Sequence, residues 1–189
     1  MTLLVTGLIL FFGVHLFSYF RSARAGLITR LGEGPYKGIY SLISLIGVGL
    51  IIWGYFQTRA GPAAAEIVYW PAPWARHATM FLVLLAMVCF AIYFFRGWLK
   101  LWLRNPMSIG VALWAAGHLL SNGKLASVIL FGAFLLYGLI DIAVNTARGY
   151  VPFFTPNPRH DVISIIVGLV LYAFFLLIFH PYVLNLPIV

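Results

Sequence analysis

Apolar residues fill this chain in six long stretches, separated by short clusters of charge, proline and glycine: Thr2 to Phe20, Gly38 to Phe56, His77 to Phe95, Met107 to Leu120, Ala126 to Asn145 and Val162 to Leu184. The hydrocarbon core of a bilayer takes about 20 apolar residues per crossing helix. Each stretch reads as a helix, because backbone in lipid has to satisfy its own hydrogen bonds and no alternating barrel pattern occurs. The fourth stretch is short. It follows Trp98 to Leu103, an aromatic and basic run expected to be an interfacial extension of the third helix. The pattern predicts an all-α fold, a polytopic transmembrane helix bundle of about six helices forming one domain over residues 1–189.

Composition agrees with that reading. With 63% hydrophobic and 8% charged residues, the chain has too little polar surface to coat a soluble globule. Charge then orients the bundle. If the N-terminus is outside, one side holds nine of the 12 cations: Arg21, Arg24, Arg30, Lys37, Arg96, Lys100, Arg104, Arg148 and Arg159. The other side holds Arg59, Arg76 and Lys124. The excess of Lys and Arg marks the cytoplasmic side, so both termini are expected on the outer (periplasmic) face. Topology accounts for the net charge of +8, and nucleic acid is not an expected partner. The run Arg21, Ser22, Ala23, Arg24 puts charge where a signal-peptide cleavage site needs small neutral residues, so the first span is expected to remain. Cys89 is the only cysteine and lies mid-span, which excludes an intramolecular disulfide and a CxxCH haem attachment.

Turn chemistry punctuates the stretches. Gly32-Glu33-Gly34-Pro35 combines glycines that tolerate positive φ with a proline that blocks helix continuation. Gln57 to Arg76 is the longest outer loop, with Tyr69, Trp70 and Trp74 as interfacial aromatics that would also suit a cap over a pocket. Ser121 to Lys124 contains an Asn-Gly pair expected to form a tight turn between antiparallel helices.

Ionisable side chains inside apolar runs point to function by default, because lipid makes them costly. Two histidines qualify, His15 and His118. Gly13 lies near the first and Gly117 adjoins the second; a small neighbour lets a flat macrocycle approach the backbone, and neutral imidazole is an axial donor to haem iron. His77, at the outer end of the third stretch, matches the expected depth of His118 better than His15 does and is the competing partner. His160 and His180 read as structural or solvated. Asp141, the carboxylate within an apolar run, is expected to pair with Arg96, Lys100 or Arg104. No second intramembrane carboxylate and no phosphate-cradling glycine loop supports other chemistry.

Two blocks go further. Arg30-Leu31-Gly32-Glu33-Gly34-Pro35-Tyr36-Lys37-Gly38 through Trp53-Gly54-Tyr55, and Arg104-Asn105-Pro106-Met107 through Leu113-Trp114-Ala115-Ala116-Gly117-His118-Leu119-Leu120-Ser121-Asn122-Gly123, resemble the NnrU family of bacterial membrane proteins. With His15, the likeness covers about residues 1–145, leaving the last helix outside. The resemblance implies a link to denitrification and kinship with cis-zeta-carotene isomerase, a haem b membrane enzyme whose ligating histidines fall on His15 and His118. It implies haem b as cofactor and nitric oxide, an apolar polyene or a reductase complex as partners, besides membrane lipid. The chain departs from the pattern at Leu16, Asn105 and Lys124, where serine, histidine and an acidic residue are common. A weaker likeness links Arg104 to Gly110 with membrane methyltransferases that use S-adenosylmethionine, although Asn105 and Ser108 replace that motif's histidine and tyrosine. The non-enzymatic alternative is a partner that assembles or stabilises a reductase.

Overall fold

A computed structural model describes residues 1–60 and 65–186. Eight α-helices follow one another among them: α1 (Thr2–Phe17), α2 (Arg21–Leu31), α3 (Glu33–Ala60), α4 (Ala75–Phe94), α5 (Trp98–Leu103), α6 (Pro106–Ser121), α7 (Leu125–Ala147) and α8 (Pro158–Phe174). The chain then continues in π-helical register over Phe175–Val183. No strand forms among the described residues beyond one isolated antiparallel bridge, Ile67 to Lys124. The all-α expectation holds.

The number of full-length spans is lower than the expected six. Among the described residues four helices are long and apolar enough to cross a bilayer: α3, α4, α7, and α8 with its π-helical continuation. A fifth is reached only if α1 and α2 count as one broken span. The fourth stretch is α6, with 16 residues. At about 1.5 Å per residue it falls short of the roughly 30 Å hydrocarbon core. These apolar helices, with exposed side chains such as Leu45, Leu136, Ile166 and Val170, mark an integral membrane protein in contact with lipid.

Two short helices depart from the sequence reading. The chain bends by 92° between α1 and α2. The bend falls where the apolar run gives way to the basic segment that begins at Arg21. Helix α2 is exposed at every residue except Ile28, which is half-buried. It ends at Gly32, whose φ of 87° only glycine adopts without strain. Gly34, by contrast, is helical. Likewise α5 is a separate helix, not an extension of α4, set off by an extended Phe95 and Gly97.

The described residues form two compact units: Met1–Tyr69 with Gly123–Ala133, and Trp70–Asn122 with Phe134–Val189. In the first, α1 packs along α3. Leu4, Leu8 and Phe12 recur every four residues on α1 and are buried. Gly7, Gly47 and Gly54 let the two backbones touch: a Cβ at Gly7 would sit 2.6 Å from the Ile51 nitrogen, and one at Gly54 2.3 Å from the Leu4 nitrogen. Because lipid tails are as apolar as leucine, such close packing is what holds membrane helices together. Tyr55 and Ser127 hydroxyls meet at 3.0 Å. Gly123 is glycine for space, not for a positive φ: a Cβ there would fall 1.7 Å from the Tyr69 carbonyl oxygen, and its own carbonyl accepts from the Val68 amide.

In the second unit α4 packs against α6 and α8. Gly168 brings α8 onto the Val88 backbone, with an added Cβ at 2.6 Å from Val88 Cα. Cys89 is buried, as expected of a structural thiol. The start of α8 clamps the α4–α5 corner. Asp161 accepts from the Trp98 and Leu99 amides at 3.0 and 2.9 Å, pairing two of the donors that a helix start leaves open. The Asn157 amide donates to the Arg96 carbonyl, and the Arg96 amide donates to His160 Nδ1 at 3.2 Å. His160 is therefore a structural acceptor.

Candidate functional site

His15 sits in the first unit, half-buried near the end of α1. Its Nδ1 lies 2.6 Å from the Phe11 carbonyl oxygen one turn earlier. A carbonyl only accepts, so Nδ1 carries the proton and Nε2 is the lone-pair nitrogen of the neutral ring. Phe11 lies against the ring at 4.2 Å between centroids and Tyr40 of α3 at 5.4 Å. The α1–α3 glycine contacts are what bring Tyr40 within that range. A Cβ placed on Gly13 would meet nothing within 4 Å, so the helix surface beside His15 has open space.

His118 occupies the last turn of α6 in the second unit and repeats the arrangement. Its Nδ1 donates to the Trp114 carbonyl at 2.8 Å, and the Trp114 ring lies 5.0 Å away. The surrounding turn is held in place by several bonds. Asn122 Nδ2 donates to the His118 carbonyl at 3.0 Å, and Thr79 Oγ1 on α4 lies 2.7 Å from the Gly117 carbonyl oxygen. Gly117 itself faces α4, where a Cβ would press on Leu82, Val83 and the Thr79 carbonyl at 3.3 Å. Its small size closes a helix contact; it does not open room for a macrocycle, as the sequence reading expected.

His180 was read as structural or solvated, yet it stands beside His118. The ring centroids are 6.3 Å apart and the planes 20° from parallel. His180 Nδ1 donates to the Phe175 carbonyl at 2.6 Å, five residues back in keeping with the π register. The available signal was Pro181: its ring clashes with the carbonyl four residues earlier and it has no N–H, so an apolar run containing His-Pro cannot stay a regular α-helix. His77 is exposed in the first turn of α4.

Asp141 also departs from expectation. Its Oδ2 accepts from Asn105 Nδ2 at 2.9 Å and from Ser108 Oγ in a short bond, and Ser108 Oγ lies 3.1 Å from Asn105 Oδ1. Asn105 and Ser108, at the start of α6, thus both donate to the Asp141 carboxylate. Arg96, Lys100 and Arg104 instead lie along a cleft of about 530 Å³ with Tyr93, Asn145 and Tyr150. Lys100 Nζ lies 5.0 Å from the Tyr93 ring centroid and donates to the Tyr93 carbonyl in a short bond. Burial, with Arg96 close by, lowers the pKa of Lys100.

Among the described residues no three His, Cys, Asp or Glu side chains gather as an ion would require. A porphyrin brings four nitrogens and asks the protein for one or two axial donors. Backbone-anchored imidazoles with Nε2 as the lone-pair nitrogen fit that demand.

Fold and site together define an all-helical integral membrane protein with histidines anchored within its apolar helices. The chain belongs to the NnrU family: the model for NnrU protein matches residues 3–188. That match extends past residue 145 and takes in the C-terminal helix with His180, which the sequence reading had left outside. No curated protein and no solved structure matches the chain.

Proposed function

We propose that this protein is a haem b-binding membrane protein of the bacterial inner membrane, acting in nitrogen-oxide metabolism or as a haem-dependent isomerase of an apolar polyene. The observation that carries the haem reading is the shared hydrogen bond from Nδ1 to a backbone carbonyl at His15 and His118. It fixes the tautomer with Nε2 as the metal donor, raises its basicity and orients the ring without a second side chain, the support a ligating histidine usually takes from its neighbours. Resemblance to cis-zeta-carotene isomerase points to the same two residues as axial ligands, with His77 the reserve candidate.

When bound, haem would supply one-electron chemistry and an iron able to take nitric oxide or a substrate double bond. The chain's own part is to hold and enclose. Trp114 and Phe11 lie against the histidine rings, and the Thr79 and Asn122 bonds keep the His118 turn from rotating. Membrane-facing apolar helices give a polyene access from the lipid phase.

An absorption spectrum of the detergent-purified protein tests this. The expected result is a Soret band, with an alkaline pyridine spectrum of haem b. Absence of haem after expression with haem supply, and after addition of hemin to the purified protein, overturns the reading.

A further inference from the structure

Arg96, Lys100 and Arg104 gather within the second unit, by the end of α6 opposite His118. Two adjoining clefts of about 590 and 530 Å³ share Arg96, Lys100 and Tyr150. Their walls come from the end of α4, from α5, the start of α6, the end of α7 and the loop leading to α8. No acidic side chain lines either cleft among the described residues. The carboxylates of the neighbouring segments are engaged elsewhere: Asp161 accepts from the Trp98 and Leu99 amides, and Asp141 from Asn105 and Ser108. Burial first and the Arg96 charge second lower the Lys100 pKa, a cost of gathering cations that a bound anion relieves. Lys100 gives one of its three donors to the Tyr93 carbonyl and keeps two. Arg104 has a φ of 59°, in the left-handed region that favours glycine, yet the position holds a cation. Such outliers cluster at ligand clamps and active sites.

The surroundings of the clefts indicate which anion fits. Trp98 and Trp102 on α5 and Phe153 in the cleft wall are exposed. Tryptophan and tyrosine concentrate at the level of the lipid headgroups, which is also where the helix ends of a membrane bundle lie. Phe94, in the wall of the smaller cleft, is exposed on the bilayer-crossing α4 and offers a seat for an acyl chain. A soluble phosphate compound makes no use of that apolar border. A phospholipid uses both parts, and basic pockets between membrane helices take anionic headgroups.

We propose that Arg96, Lys100 and Arg104 form a headgroup site for an anionic phospholipid, with its phosphate held in the cleft between the α4–α5 corner, the start of α6 and the loop 150–155.

Native mass spectrometry of the detergent-purified full-length protein, titrated with phosphatidylglycerol or with phosphatidylcholine of the same acyl chains, tests this without a membrane surface potential. Wild type should bind its first phosphatidylglycerol more tightly than its first phosphatidylcholine. Each cation near an anionic headgroup is worth about fivefold, so Arg96→Gln with Arg104→Gln should weaken phosphatidylglycerol binding roughly 25-fold and leave phosphatidylcholine unchanged. Arg96→Lys with Arg104→Lys alters the same positions but keeps the charge, and should retain most of the preference. Arg21→Gln with Arg30→Gln removes equal charge from α2 and should leave the preference intact. Equal affinity of wild type for the two lipids, an equal loss in the α2 pair, or a loss in the lysine pair as large as in the glutamine pair overturns the site. Displacement of phosphatidylglycerol by excess inorganic phosphate assigns the cleft to a soluble anion and overturns the lipid; retention of the lipid supports it.

Discussion

Replacing Gly54 with alanine should loosen α1 from α3, and the geometry sets the scale. The new methyl would lie 2.3 Å from the Leu4 amide nitrogen and 2.8 Å from the Leu3 carbonyl carbon and Leu4 Cα. Ordinary contact begins at 3.4 Å. Helix α1 has to retreat by roughly 1 Å, 3.4 minus 2.3, since backbone atoms have no rotamer through which to yield. A gap of about 0.5–1 Å forfeits a quarter to a half of each contact's attraction, and backbone shifts forced by an extra methyl cost about 1–3 kcal/mol. Alanine also gains up to about 1 kcal/mol over glycine inside a helix. Gly49→Ala isolates that gain, because a Cβ at Gly49 meets nothing within 4 Å on the same helix. The difference between the two variants is therefore the packing cost alone, a factor of roughly 5 to 150 in the folded-to-unfolded ratio. Reversible unfolding in mixed micelles of rising dodecyl sulfate content, followed by tryptophan fluorescence, measures it. The reasoning is refuted if Gly54→Ala unfolds at the same or higher detergent fraction than Gly49→Ala.

Asp161→Ala should cost about 0.5–2 kcal/mol, because it leaves the Trp98 and Leu99 amides without their acceptor. Gly97→Ala should be damaging alone and much milder with Asp161→Ala, since the added Cβ collides with the Asp161 carboxylate; a double-mutant cycle on melting temperature that shows additivity would contradict this. The lowered Lys100 pKa means that the unfolded chain binds more protons as pH approaches the ordinary lysine value of 10.5, so stability rises with pH across that window, and Lys100→Met should flatten the rise in melting profiles. Reporters fused after Lys37 or Arg104 should read cytoplasmic and one placed between Trp70 and Trp74 periplasmic; a cytoplasmic signal from the latter would invert the expected orientation.

Much of the fold was legible because a bilayer constrains it so strongly: the apolar runs became α1, α3, α4, α6, α7 and α8 with ends displaced by a few residues. The bend after Phe17 and the separate α5 were not. They depend on where charges and an extended Gly97 stop a helix, and hydropathy does not resolve that inside a mixed segment. His15 and His118 were legible as polar rings in apolar surroundings, yet nothing in the sequence indicated that both rings give Nδ1 to a carbonyl. His180 reads from the sequence as structural or solvated, and nothing in the hydropathy placed it beside His118. Its placement depends on Pro181 and on the π register, which bring it beside a residue 62 positions earlier.

Asp141 bears on which chemistry the second unit hosts. A carboxylate within an apolar helix normally finds a cation or a functional task. Here Asn105 and Ser108 supply donors from the start of α6, and Ser108 is 5% exposed. Pro106 at the first helical position needs no amide partner and leaves the side chains of that turn to do the bonding. In the methyltransferase segment that Arg104 to Gly110 resembles, a histidine and a tyrosine occupy the positions of Asn105 and Ser108. In this chain those positions tie α6 to α7 through Asp141, beside the contact that Gly138 makes with the Ala112 backbone. A segment that latches two helices together in this way has its polar groups engaged internally. That favours a structural role for the segment over cofactor binding and leaves the anchored histidines as the groups disposed to carry chemistry.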